Sequence, residues 1–569
     1  MDAGLESAIR KYAIKNALDY GKAGEKQVLG RVLSSNPSAK SDMKALNESI
    51  ATIVAQINKM DKADLEKEFA QYQGEFETLE RKKAEESVPK FVLDGAVKGS
   101  FVTRYAPAPN GYMHIGHAKA ALMASEFAKI YDGRMFLYFD DTNPEKDRQE
   151  YVDQMKKDLE WLGVSFSHEY YTSDSIDGIY GAVKQLILND KAYVCECDSE
   201  RISKGRYDSI ECEHRQRSVK ENEELFAGML NHKMEEGKVI VRFKGDMKSQ
   251  NTALRDPTLV RVKNDAHYRK GTQYSVWPTY DMSNPIMDST HGATDIVRSK
   301  EFELRDELAA TILDSLDMRK PRIHTEARLV IKNNVTHKRE LNKLITEGIL
   351  TGWDDPRLVT ISALKRRGIT PAAVRELVLR FGMSKTDGKV GIEMLLAENR
   401  KIIDPTSRRL YYTEDPVALK IEGFEAREVE LKLHPTGDLG SREYKVDGNV
   451  YIAKKDADAA KKGGVIRLKN LADVEVTAAG DNISAKETEK AGNAIQWVPA
   501  SDYVECSIMI PGNPVDDEGK LIADSMKLSK GYVESYAKTL KKGDIVQLER
   551  FGFCILDNPK PLQFIFISN

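Results

Sequence analysis

The stretch beginning at residue 101 restricts the fold more than any other. "FVTRY" reads as a short apolar strand, "AKAALMASEFAKIY" as a helix and "MFLYFDD" as a second strand. Strand, helix and strand within so short a span form a βαβ unit, which requires a parallel sheet. The flanking regions have other textures. Residues 1 to about 85 lack alternation and space apolar residues three and four apart among many charges, as amphipathic helices do. "ESVPKFVLDGAVKGS", 86–100, reads as a linker, and 320–400 reads as mostly helical. After "IIDPTSRRLYY" come short alternating runs such as "ALKIEG", "VELKLH", "VIRLKN", "YVECSIMI", "DIVQLER" and "QFIFIS". Frequent turns separate them, which predicts an all-β, barrel-forming region.

The 569 residues are 41% hydrophobic and 31% charged, enough to bury several cores. The formal net charge of −3 gives no global basic field, so any RNA contact must use local patches of the 86 Lys and Arg. The charged N-terminal stretch is no signal peptide, and no apolar run approaches the roughly 18 residues of a membrane span. Five cysteines argue against a disulfide framework and for a reducing, cytoplasmic compartment.

Two of the 10 histidines, His114 and His117, sit with Gly116 in "HIGH", where the strand and a Pro-rich turn meet the helix. A helix N-terminus offers free N–H groups and a positive dipole end, and Gly116 lets a flat ring approach the backbone. The combination fits a nucleotide site whose imidazoles donate to phosphate. The P-loop pattern GxxxxGK[ST] is absent from the chain. Elsewhere Cys195, Cys197, Cys212 and His214 form C-x-C-x14-C-x-H. Three thiolates and an imidazole suit tetrahedral, structural Zn²⁺, since four protein ligands leave no open position. Cys506 and Cys554 read as core.

"VTRYAPAPNGYMHIGHAKAAL" followed by "YFDDTNPEKD" resembles the class I aminoacyl-tRNA synthetases, in their glutamyl/glutaminyl branch. The likeness continues in order through "WPTYDMSNP", "ATDIVRSKEFELRDE", "KRELNKLITEGILTGWDDPRL", "LKRRGITPAAVREL" and "IIDPTSRR", covering roughly 101–410. The β-rich tail and the N-terminal helices resemble those of the archaeal and eukaryotic type. The resemblance implies a multidomain chain: a helical appended domain at 1–95, and a Rossmann-like α/β catalytic domain at 96–320 with an acceptor-end-binding insertion near 190–275. A helical connecting region with a clamp loop would span 321–404, and a β-barrel anticodon-binding region 405–569. It also implies a ligase that makes glutamyl-adenylate from glutamate and ATP with Mg²⁺, then charges tRNA(Glu). The expected working unit is a monomer. Charging of tRNA(Gln) stays open, as do two alternatives: a glutaminyl enzyme, and a non-catalytic RNA-binding relative.

For the site, the resemblance assigns Pro107, Pro109, His114, Gly116, His117, Arg328, Lys338 and Arg339 to ATP, with His114, His117 and Lys338 as the catalytic set. Arg104, Ala106, Asp140, Tyr280 and Arg298 fall to glutamate, with Asp140 for the α-ammonium and Arg298 for the side chain. Two stretches compete for the "KMSKS" clamp. "GMSKTDG", 382–388, matches better by letter, but "VTHKR", 335–339, follows a strand-like "ARLVI" and precedes "GWDDPR", as the clamp should. Position favours Lys338 and leaves Lys385 as a surface lysine. His337 stands where the family has serine, Asp295 where it usually has histidine, and Ala108 where it often has Ser or Glu.

Overall fold

The computed structural model describes residues 3–35, 39, 43–70, 72, 76 and 91–569. It comprises two units, Met1–Lys90 and Phe91–Asn569. In the first, among the described residues, the helices Ala3–Tyr20, Glu25–Ser35, Met43–Ile57 and Lys62–Phe69 enclose a small core. Ile50, Ile53, Val54 and Ile57, spaced for one helical face, bury against Ile9, Ile14, Val28 and Val32. Asp61 caps the fourth helix by accepting from the Asp64 N–H at 2.9 Å. The helical expectation over 77–85 and the linker expectation over 86–90 lie outside the described residues.

From Phe91 onward the expected linker is already part of the second unit. Phe91 meets Phe127 edge to face, and Leu93 is buried with its N–H donating to the Tyr131 hydroxyl at 2.8 Å. The apolar pair at 91 and 93 explains the difference.

The βαβ reading holds. Strand Val102–Tyr105 leads through helix Ile115–Ile130 to the parallel strand Arg134–Phe139, and Glu169–Tyr171 pairs beyond it. On the other side, Asp295–Ser299 and Arg322–Glu326 form a parallel pair, joined to the first strand where the Thr294 N–H donates to the Val102 carbonyl at 2.7 Å. The lateral order places the first strand between halves built outward in opposite directions. This is a doubly wound layout, with its switch point between Val102–Tyr105 and Asp295–Ser299.

A four-stranded antiparallel sheet, Ala192–Cys195, Ile240–Phe243, Thr258–Val262 and Val276–Pro278, interrupts this layout. The region 320–400 is less helical than expected: fewer than half of its residues fall in the helices Lys338–Thr346, Ile361–Arg366, Pro371–Phe381 and Ile392–Ile403. It also supplies Arg322–Glu326 to the sheet and a parallel pair, Leu329–Ile331 with Gly388–Val390.

The tail forms two seven-stranded sheets. The edge strands of one are Arg408–Leu410 and Tyr412–Glu414, and of the other Asn493–Ile495 and Val498–Pro499. Each pair of edges is continuous in sequence, so each sheet closes on itself as a barrel. Only Tyr411 separates the first pair, and Gln496 with Trp497 the second. Tyr411 and Trp497 are buried and meet edge to face, with centroids 6.1 Å apart. Strands such as Ser441–Val446 alternate buried and exposed residues throughout, as the sequence indicated.

Candidate active site

A cleft of about 500 Å³ opens at the switch point, where open α/β sheets place ligands. Residues at or just past the strand ends line it: Arg104 and Tyr105, Asp140, Arg298 and Ser299, and Glu326. Ala106, Pro107, His114, Gly116, His117, Tyr280, Arg328 and Lys338 line it too. Pro109 and Arg339 lie off it. Pro109 is buried, with its carbonyl accepting from the Arg148 N–H, and Arg339 is exposed.

His114 caps the helix Ile115–Ile130. Its Nδ1 accepts from the Gly116 N–H at 3.1 Å, while His117 Nδ1 accepts from the His114 N–H at 3.2 Å. The two rings stack with centroids 3.9 Å apart. With both Nδ1 atoms accepting, each neutral ring carries its proton on Nε2, leaving that N–H for a ligand. Burial, with help from Lys338 and His337, pushes His114 down to about 4. Burial, His114 and Lys338 take His117 well below the usual imidazole range. The pair therefore acts near neutral pH as two fixed donors, not as two cations. A Cβ on Gly116 would stand 2.9 Å from the His114 ring and 3.5 Å from the Leu329 carbonyl oxygen, so glycine is needed for the stacked arrangement.

Lys338 opens the helix Lys338–Thr346. Its stem lies against Gly111, where a Cβ would come within 2.9 Å of Cδ, and its ammonium donates to the Asn110 side-chain carbonyl. Burial lowers the Lys338 pKa against the pull of Asp147. His337 lines the same cleft. A strap holds the turn beneath: the Ile115 N–H donates to the Val359 carbonyl and the Ile361 N–H to that of Met113, while Tyr112 stacks on Trp353. Arg328, on the rim, is paired with Glu301 at 2.6 Å. Lys385 is exposed and does not line the cleft.

At the opposite end, Asp140 accepts from Thr142 and Ser283 hydroxyls and from the Asn284 amide, each at 3.2 Å. Burial raises its pKa, and those three donors oppose the rise. Arg104 donates from Nε and Nη2 to Asp288. Burial disfavours its charge, but Asp288 prevails and holds the guanidinium above its ordinary value. Arg298 donates to the Tyr280 hydroxyl at 3.0 Å and to Asp306, and its buried Nε has no partner among the described residues. One end of the cleft thus offers donors for a polyanion. The other offers a carboxylate and two guanidiniums for a zwitterion with an acidic side chain.

A family model for the catalytic domain of class I tRNA synthetases, described as "E and Q", matches residues 100–405. Two anticodon-binding domain models of that family match 407–492 and 494–557. The chain belongs to this family. The glutamate–tRNA ligase of Nitrosopumilus maritimus is 39% identical, with 98% of each chain covered. Those of Cenarchaeum symbiosum and Pyrococcus furiosus are each 38% identical, covering 96% and 97% of both chains.

Within this class I tRNA synthetase, the four predicted metal ligands converge on the inserted sheet. Their ligand atoms lie within 4.8 Å of one another. Cys195 Sγ is 3.8 Å from both Cys212 Sγ and His214 Nδ1, and Cys197 Sγ is 3.4 Å from His214 Nδ1. A tetrahedral ion with bonds of about 2.3 Å to sulfur has edges of about 3.8 Å, so the donor set fits one. Cys506 and Cys554 are both buried in the core of the barrel that contains Tyr503–Pro511 and Gly552–Pro559, as expected.

Other residues on and behind the cleft wall escape direct sequence reading. Lys119 and Glu326 form a buried pair on the cleft wall, and Glu326 is pushed up by burial to about 7. Asn284 and Asp288 lie four and eight residues after Tyr280 on the helix Tyr280–Thr290. That helical spacing, directly after a strand, is the signal that points to them.

Proposed function

We propose that this synthetase charges tRNA(Glu) with glutamate. An oxygen of the glutamate α-carboxylate attacks the α-phosphorus of ATP. The bond to the bridging oxygen breaks, pyrophosphate leaves, and a glutamyl-adenylate remains. A hydroxyl of the tRNA 3′-terminal ribose then attacks the acyl carbon, and AMP departs. The observation that carries this reading is the meeting, in one cleft, of the His114–His117–Lys338 set with Arg104, Asp140, Tyr280 and Arg298.

Alignment and charge do the work. The two Nε2–H groups and the Lys338 ammonium receive the phosphates as negative charge moves onto pyrophosphate. Asp140 takes the α-ammonium. Arg298 pairs with the γ-carboxylate; a neutral amide there would leave the guanidinium with only Asp306 and the Tyr280 hydroxyl and no second carboxylate, which favours glutamate over glutamine. Mg²⁺ accompanies ATP and offsets its charge. The barrels are read as holding the anticodon arm of tRNA(Glu); tRNA(Gln) is the second candidate.

The Cys195–Cys197–Cys212–His214 cluster is read as a structural Zn²⁺ site, where the metal would cross-link the loop after Ala192–Cys195. About one zinc per chain, lost on Cys212→Ser with nucleotide binding kept, tests that reading. The working unit is read as a monomer. Among the described residues no helix is long and apolar enough to cross a membrane, and the thiol cluster suits the reducing cytoplasm.

Charging assays with both amino acids and both tRNAs test the function. Glutamate on tRNA(Glu) is the expected product. Preference for glutamine returns the glutaminyl reading, and no ATP–pyrophosphate exchange with tRNA present returns the non-catalytic one.

A further inference from the structure

We infer that Asp288 is a positioning residue for glutamate selection, acting through Arg104; the inference rests on the assignment of Arg104 to the amino-acid end of the cleft. Arg104 and Asp288 are 5% and 4% exposed, so their pairing is shielded from water. Asp288 Oδ1 accepts from Arg104 Nε at 2.9 Å and Oδ2 from Nη2 at 3.1 Å. This two-point contact fixes the plane of the guanidinium, which a single hydrogen bond does not do.

The consequence lies in what the contact leaves over. Two of the three guanidinium nitrogens face Asp288, with Nη2 also 3.5 Å from the Asn284 side-chain oxygen. Nη1 is the remaining nitrogen, on a side chain that lines the cleft. Arg104 therefore offers the substrate one aimed edge, and Asp288 sets the aim. The charge of Asp288 also lets a guanidinium remain buried and ionised before substrate arrives.

The geometry has a further member. Asn284 accepts from the Tyr138 hydroxyl and donates to Asp140 at 3.2 Å. One helix, Tyr280–Thr290, thus braces Arg104 through Asp288 and Asp140 through Asn284. The acidic end and the basic end of the amino-acid site are set by the same rigid body, which fixes the distance between them.

The test is Asp288→Asn in the full-length enzyme, assayed by ATP–pyrophosphate exchange with tRNA present. Asparagine keeps the shape and one acceptor but turns an N–H₂ toward Nη2, so one anchoring bond is replaced by opposed donors. KM for glutamate should rise about 10- to 100-fold, the usual range for loss of a group that orients a ligand-binding side chain. KM for ATP should stay within about twofold, since the phosphate end is untouched. Arg104→Ala must by itself raise KM for glutamate, and adding Asp288→Asn to it should change that KM no further.

An unchanged KM in Asp288→Asn, equal losses for ATP and glutamate, or additive effects in the double variant would overturn the inference. If Arg104→Ala leaves glutamate use intact, the assignment of Arg104 itself fails, which is a distinguishable result. Should Asp288→Asn not fold, Asp288→Glu carries the same cycle, because it keeps the charge and moves it by one methylene.

Discussion

At the end of the cleft proposed for the amino acid each guanidinium already has a carboxylate, Asp288 for Arg104 and Asp306 for Arg298. At the end proposed for the phosphates Arg328 on the rim is paired with Glu301, but Lys338 faces an amide oxygen and the two imidazoles are uncharged. A triphosphate brings its own large charge, and His114, His117 and Lys338 would meet it with no carboxylate hydrogen-bonded to them. The amino acid is a small zwitterion that must be told apart from a near-isostere. That task needs guanidiniums held rigidly, and rigidity comes from paired carboxylates.

The largest expected effect tests the paired end. Arg298→Cys should lower kcat/KM for glutamate by about 1,000-fold, because a buried substrate carboxylate would lose its charge partner. KM for ATP should barely change. Equal losses for both substrates would erase the distinction between the two ends.

At the unpaired end, Lys338→Ala should slow adenylate formation by about 100-fold, the scale expected for one transition-state charge partner. Lys385→Ala should leave the rate within about twofold. Rapid-quench measurement of the adenylate decides; reversed results would move the clamp to 382–388.

Gly116→Ala should act on the phosphate end alone. The added Cβ has to displace the His114 ring and disturb its bond from the Gly116 N–H. KM for ATP should rise by about tenfold, as for loss of one positioned donor, with glutamate KM steady.

The smallest effect is an absence. His114 is held near 4, below its unfolded value of about 6.5. The unfolded chain therefore binds the proton first on acidification. The stabilisation from a neutral His114 is complete above roughly pH 6.5 and is lost as pH falls toward about 4. NMR of labelled histidine should show the His114 ring signal flat from pH 8 to about 6.5. A midpoint near 6.5 would make it an exposed, ordinary imidazole and weaken the contrast drawn above.

The sequence made the strand–turn–helix around His114 legible because its signals are local: an apolar strand, a proline-rich turn and a helical run within a few dozen residues. The alternation of the tail was legible for the same reason. The braces of the proposed amino-acid end were legible only in part: the helical spacing after Tyr280 marks Asn284 and Asp288, but Asp288 stands 184 positions from Arg104 and that spacing does not name its partner. Closure of the barrels was equally hidden, because alternation reports which face is inward and not which strands meet.

The Tyr411 seam has a consequence for how such a chain can change length. The loops joining its strands can lengthen by several residues at small entropic cost. Between Leu410 and Tyr412 there is no loop to absorb an insertion. The strands on either side are held by different neighbours, Arg408–Leu410 by Ile545–Leu548 and Tyr412–Glu414 by Met526–Glu534. One added residue would have to bulge out, or reverse the inward and outward faces of one segment. Deleting Tyr411 would take with it the ring that meets Trp497 at the other barrel's seam. Among variants of this chain, insertions and deletions should therefore collect in the turns and spare these two places.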